Sequence, residues 1–152
     1  PSVLAVEGFL QDNQRAKGRR LCMLPAAKVA HVNISLLSSL LKHAFLGGRL
    51  YGASRARFLR WSAPRRLVYA CAAPLIPFVR LRRLWHDVVR IGKRELLPRA
   101  LPAIFVALCF HAAGEMTGYA LGFGNVERRY SRYELGRIDH ITTQDREAEL
   151  AG

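Results

Sequence analysis

The longest apolar stretch of the chain runs from Leu96 to Gly124, and it predicts a membrane-associated packing helix. Three glycines recur in it at intervals of four residues: Gly114, Gly118 and Gly122. On a helix this spacing puts the glycines on one face, where a second backbone can approach closely. The glycine face therefore predicts close helix packing, either within one chain or at the seam of a homo-oligomer.

A polar stripe runs beside the glycines in the same stretch. Its members share the four-residue spacing: His111, Glu115 and Tyr119. These side chains need partners, because an unpaired polar group away from water costs about 1–3 kcal/mol. His111 and Glu115 can meet on the helix, and two interpretations stay open. They form either a charge-assisted pair beside a lipid or acceptor channel, or a satisfied pair that joins helices. Two residues alone do not predict a metal site, which needs three or four ligands.

Other helical patterns precede this stretch. A 3.6-residue apolar period runs over residues 34–61, with Ser35 as the predicted N-cap. The segment Leu67–Val79 is apolar throughout, but two prolines interrupt it, and it is shorter than the about 20 residues that span a bilayer. An amphipathic helix with basic and aromatic residues is predicted over Arg80–Arg94.

Arginines border every apolar segment and are candidate contacts with an anionic membrane surface. The candidates on the predicted helices are Arg55, Arg57, Arg60, Arg80, Arg82 and Arg83. Basic flanks normally stay on the cytoplasmic side of a membrane. Because all the flanks here are basic, they favour a hairpin or helices lying in the interface over single spans. The alternative for residues 34–61 is a solvated basic face over a protein core.

The first 33 residues have a different character. The segment Val3–Lys17 predicts a helix, and Lys28–Asn33 alternates in the manner of a short strand. Helix and strand in this order are expected at the end of an α/β domain. His31 and Asn33 would share one face of that strand. We therefore divide the chain into residues 1–33, a helical membrane-associating region over residues 34–124, and a polar C-terminal tail over residues 125–152.

Composition narrows the choice of partners. The chain has 152 residues, 51% of them apolar, and a formal net charge of +13. The high apolar content argues against disorder. Such a charge suits lipid or nucleic acid, but no nucleic-acid-binding module is recognisable, so we expect membrane lipid and no nucleic acid.

The three cysteines are widely spaced in apolar contexts, and we expect them to be buried and reduced. The absence of an initial Met leads us to expect a fragment or a processed product.

In order and spacing, several short motifs resemble the C-terminal part of bacterial family 2 glycosyltransferases. The motifs are Ala27-Lys28-Val29-Ala30-His31-Val32-Asn33, Gly47-Gly48-Arg49, Ser54-Arg55, Pro74-Leu75-Ile76-Pro77, Arg80-Leu81, and Gly114-Glu115 with Gly118-Tyr119 and Gly122. The likeness covers residues 7–124. It implies that residues 1–33 are the end of a nucleotide-sugar domain of the GT-A type, and that amphipathic, membrane-associating helices follow. The expected fold is therefore mainly α, with a short α/β remnant.

The resemblance also implies an activity. It is transfer of a sugar from a nucleotide-sugar donor to a lipid-linked or exported glycan acceptor, at the cytoplasmic face of the bacterial inner membrane. Glu7 falls where the family has the Glu of a Glu-Asp pair, but Gly8 replaces the catalytic Asp. His31 matches a late His that helps to bind a divalent cation, Mg²⁺ or Mn²⁺, with the donor diphosphate. The donor-binding Asp-x-Asp region would lie upstream, so these residues alone are expected to be inactive and to hold no cofactor.

A non-enzymatic alternative fits the same helices. A small basic membrane-anchoring or assembly subunit would use the glycine face to pack against partner helices. Both hypotheses require the apolar segments bordered by arginine to lie against lipid.

Overall fold

A computed structural model describes residues 7–20, 22, 24, 26 and 32–151, and this part of the chain is mainly helical, as the sequence predicts. The helices are α1 (Glu7–Ala16), α2 (Leu37–Phe58), α3 (Ala63–Ala72), α4 (Ile76–Arg90), α5 (Leu97–Leu121), α6 (Val126–Leu135) and α7 (Thr143–Ala151). Short 3-10 turns occupy Ala73–Leu75, Arg94–Leu96 and Arg137–His140. Of the predicted strand, Lys28–His31 lies outside the described residues, and Val32 and Asn33 are not in a strand. The α/β remnant therefore stays a prediction.

Helix α5 lies at the centre, with α2 packed along one side and α3 and α4 along another. Two glycines on each of α2 and α5 allow the backbones to touch: Gly48, Gly52, Gly114 and Gly118. A Cβ atom at Gly52 would lie 2.6 Å from the carbonyl oxygen of Glu115. At each of the other three positions a Cβ atom would also lie within 3.0 Å of the opposite backbone. The small residues of the two helices are therefore interlocked, as in close small-residue packing between membrane helices.

The polar tail folds back onto the start of α2. Val126 of α6 is only 1% exposed and packs with Leu46 and Leu50. Ser35 does not cap α2, because its Oγ accepts a hydrogen bond from the Thr142 amide at 2.8 Å and Leu36 is the N-cap residue. The predicted cap is therefore wrong, and Ser35 ties the two ends of the helical region together.

A charged cluster fixes α6 to α2. Glu134 accepts a hydrogen bond from His43 Nε2 at 2.7 Å, and Arg137 binds its other carboxylate oxygen. Burial raises the pKa of Glu134, but hydrogen bonds from Arg137, His43 and Tyr130 outweigh burial and lower this pKa to about 2. The ionised carboxylate is therefore the form that the folded protein stabilises.

Much of the apolar surface is not covered. The large apolar side chains exposed on α3, on the turn after it and at the start of α4 are Leu67, Val68, Leu75, Phe78 and Val79. These five residues are 50–66% exposed, and we call them the apolar face. Helix α5 is long and apolar enough to cross a membrane, and only 17% of its most apolar window is buried.

Cys22 and Cys71 are exposed, so the expectation that all three cysteines are buried is wrong.

Candidate functional site

The polar stripe of α5 lies at the centre of a buried network. The side chain of Glu115 is 2% exposed. Its Oε1 lies 2.5 Å from Nη2 of Arg80 and 3.2 Å from Nδ1 of His111, and its Oε2 accepts a hydrogen bond from the Tyr119 hydroxyl at 3.1 Å. Three neighbours therefore satisfy a carboxylate that would otherwise be unpaired, which removes most of the cost of burying it.

Local geometry explains why Glu115 is buried. It follows Gly114 directly, and Gly52 of α2 approaches its backbone closely. The i,i+4 spacing brings His111 and Tyr119 to the same side of α5. Arg80 reaches the carboxylate from α4, with 36% of its side chain exposed. It was predicted as a membrane-surface residue, but the structure turns its guanidinium inward onto Glu115.

A second arginine is held by aromatic rings beside this network. Nη1 of Arg55 donates to the Tyr119 hydroxyl at 3.4 Å. Its guanidinium lies 5.2 Å from the ring centres of both Trp61 and Tyr69. Trp61 and Tyr69 stack on each other with ring centres 4.1 Å apart. Arg55 is therefore half-buried and positioned, whereas the sequence predicted an arginine on the open surface.

The two arginines line a cavity of about 450 Å³ between α2, α3, α4 and α5. Arg83, Glu115 and Tyr119 also line it, and Leu75 and Val79 of the apolar face form part of its wall. Three arginines and a single carboxylate thus line the same cavity. The cavity can hold an anionic group, because guanidinium presents paired donors to phosphate or carboxylate oxygens.

The remaining predicted arginines lie outside the cavity. Arg57, Arg60 and Arg82 are exposed, and the Arg57 guanidinium lies 5.8 Å from the centre of the Phe123 ring. Arg60 has a φ of 50°, which is a left-handed conformation at the end of α2. These side chains can reach solvent or a charged surface.

The predicted glycines divide into two roles. Gly114 and Gly118 contact α2, but Gly122 follows the end of α5 with a φ of +73°. A Cβ atom at Gly122 would meet only the Arg66 guanidinium, at 3.8 Å. Gly122 is therefore a helix-ending residue, and its predicted place in the packing face is wrong.

Two residues were carried over from the family resemblance. Glu7 begins α1, and His31 lies outside the described residues. Across residues 7–20 and 32–151, and the few described between them, no group of three His, Cys, Asp or Glu side chains could hold a metal ion. The divalent cation that the resemblance implies stays a prediction, because His31 lies outside the described residues.

Sequence reasoning missed the partner glycines on α2. Gly48 and Gly52 have the same four-residue spacing as Gly114 and Gly118, and this was the available signal. It also missed the stacked pair of Trp61 and Tyr69, because Trp61 lies in the connection between α2 and α3, Tyr69 lies within α3, and the two share no helical period. No family model, curated protein or solved structure matched the chain.

Proposed function

We propose that residues 34–124 dock the protein on an anionic membrane surface, as the C-terminal part of a membrane-associated glycosyltransferase. The observation that carries the docking proposal is the apolar face, whose side chains are 50–66% exposed beside the exposed Arg82 and Arg83. Contiguous apolar patches on a protein surface commonly mark contacts with a membrane or another protein.

Two contributions to the binding free energy favour lipid as the partner that covers this face. Burying one Leu or Val side chain contributes about 1.5–3 kcal/mol. Each Lys or Arg near an anionic bilayer adds about 1 kcal/mol. Burial of a few of these apolar side chains, together with contacts between a few neighbouring arginines and anionic lipid, is enough for stable binding.

The enzymatic part of the proposal rests on the family resemblance. The chain then belongs to an enzyme that transfers a sugar from a nucleotide-sugar donor to a lipid-linked or exported glycan, at the cytoplasmic face of the bacterial inner membrane. Docking supports this function because it holds the enzyme where a lipid-linked acceptor is concentrated. We assign no catalytic step to the residues described here.

Vesicle sedimentation tests the docking. The full chain is mixed with vesicles of neutral lipid that contain about 30% anionic lipid. We expect wild-type protein to sediment with the vesicles, and Leu67→Glu with Val68→Glu to weaken partitioning about tenfold or more. The matched control is Leu135→Glu with Ile138→Glu. Both residues are exposed on the C-terminal segment, at 89% and 46%, and the change in charge is the same.

Two results would contradict the docking proposal. Wild-type protein could stay in the supernatant with anionic vesicles, or the two double variants could lose binding equally. Equal loss would mean that only charge matters and that the apolar face does not contact lipid.

The coding sequence upstream of Pro1 tests the enzymatic part separately. An open reading frame that encodes an Asp-x-Asp motif after strand-like runs would support the glycosyltransferase. A start codon close to Pro1 would contradict it and favour the membrane-anchoring subunit, which uses the same docking surface.

A further inference from the structure

The cavity beside Glu115 has more positive charge than the protein itself neutralises. Three arginines line it and one carboxylate faces them. Arg80 is paired with Glu115. Among the described residues, neither Arg55 nor Arg83 forms an ion pair with a carboxylate. The cavity thus carries two cations without an acidic partner, one of them half-buried.

The half-buried cation is held in place before any ligand arrives. Arg55 lies against the rings of Trp61 and Tyr69 and donates to the Tyr119 hydroxyl. Tyr119 in turn donates to Glu115, which fixes Arg80. Two guanidiniums are thereby oriented through one buried carboxylate. Such positioning lowers the entropy lost when an anion binds.

The wall of the cavity is apolar on the side of α3 and α4. Leu75 and Val79 line the cavity and are 63% and 50% exposed. The other members of the apolar face, Phe78, Val68 and Leu67, are 62–66% exposed. An anion bound at the arginines would therefore have an apolar surface beside it, which a free inorganic ion does not use.

We propose that this cavity binds the phosphate-bearing headgroup of a lipid, with the phosphate at Arg55, Arg80 and Arg83 and the acyl chains along the apolar face. A volume of about 450 Å³ lies in the range of small-ligand pockets and suits a headgroup with its chains outside. The inference rests on the proposed docking, because lipid must reach the apolar face.

A soluble short-chain lipid tests the site without vesicles. The chain has two tryptophans, and Trp85→Phe leaves Trp61, which stacks beside Arg55, as the fluorescent reporter. Dihexanoyl phosphatidate is titrated below its micelle concentration, and we expect a saturable change in Trp61 emission. Inorganic phosphate and pyrophosphate, and dihexanoyl phosphatidylcholine with its capped phosphate, are titrated in parallel. We expect each to bind at least about tenfold more weakly, since the two inorganic anions have no acyl chains and the phosphate of phosphatidylcholine is capped.

Neighbouring arginines provide the matched variants. Arg83→Gln is expected to weaken phosphatidate binding about tenfold, and Arg82→Gln to leave it unchanged. Both side chains are exposed on α4, but only Arg83 lines this cavity, so neither change should unfold the protein. Arg55→Gln should abolish saturable binding, with its circular dichroism spectrum checked against wild type.

Four results would overturn the headgroup site, and the last of them separates it from the docking proposal. Equal binding of pyrophosphate and phosphatidate would overturn the lipid assignment, and equal binding of phosphatidylcholine would overturn phosphate recognition. Equal effects of Arg83→Gln and Arg82→Gln would place binding elsewhere. If vesicles bind while phosphatidate never saturates, the headgroup site is wrong and the docking stands.

Discussion

Replacement of Gly48 by alanine tests the interlocked contact between α2 and α5. An added Cβ atom would lie 2.9 Å from the carbonyl carbon of His111 and closer still to its oxygen. Carbon atoms pack best at about 3.5–4.0 Å, so the helices must separate by roughly 0.6 Å or more. Neither contact atom can rotate away, because both belong to the backbone of α5. A gap of about 0.5–1 Å removes a quarter to a half of the dispersion energy of each contact between α2 and α5.

The expected loss of stability follows from two opposing contributions. Overpacking typically costs about 1–3 kcal/mol and sometimes more, and the rigid backbone contact puts this case at the upper end. Alanine gains about 1 kcal/mol over glycine in helix propensity. We therefore expect Gly48→Ala to lower the free energy of unfolding by about 2 kcal/mol or more.

Gly47 offers the control from the next position on the same helix. A Cβ atom at Gly47 would meet only the side chain of Tyr130, at 3.3 Å, and that ring can adjust. Gly47→Ala should be neutral or stabilise the protein by up to about 1 kcal/mol. Urea unfolding followed by circular dichroism at 222 nm measures both variants. If the two variants unfolded at the same urea concentration, the backbone contact between α2 and α5 would be refuted.

Further predictions concern charge and chain conformation. Glu115→Gln should destabilise the fold by about 3 kcal/mol, since Arg80 loses its buried partner, whereas Glu127→Gln on the exposed surface should change stability little. Urea unfolding of both variants measures the difference. Burial opposes the charge of Glu134, yet its hydrogen bonds lower its pKa to about 2. Its stabilisation of about 1–2 kcal/mol should thus be present above pH 4.5 and disappear as the pH falls toward 2. The stability difference between wild type and Glu134→Gln should shrink over this range. Gly122→Ala should cost about 1 kcal/mol through its φ of +73°, and a destabilisation as large as that expected for a packing glycine would restore Gly122 to the contact face.

The fold class and the polar stripe could be predicted because both follow from local spacing. Periodicity identifies α2 and α5, and the i,i+4 rule brings His111 and Tyr119 to Glu115. The partner of Glu115 could not be predicted in this way. Arg80 lies 35 residues away in the chain, and only the packing of α4 on α5 brings it to the carboxylate.

The same limit explains the errors at Ser35 and Gly122. Ser35 has the side chain of an N-cap residue, but the returning C-terminal segment offers it the Thr142 amide instead. Gly122 has the spacing of a packing glycine, but the helix ends just before it. A periodic pattern shows which residues share a face only as long as the helix continues, and Gly122, in a left-handed conformation, follows the last residue of α5.

The arrangement of α2 on α5 bears on how deeply the protein can enter a bilayer. By length and composition α5 could span a membrane, and its buried carboxylate is already paired with Arg80. However, α2 is interlocked with α5 and carries Lys42 and Arg57 in exposed positions. Each such charge costs about 2.5–3.5 kcal/mol at the centre of a bilayer. If the interlocked pair moved as a unit, insertion of the C-terminal half of α5 would draw these charges into hydrocarbon. The proposed docking therefore places the pair at the headgroup level, where the same lysine and arginine side chains stabilise binding.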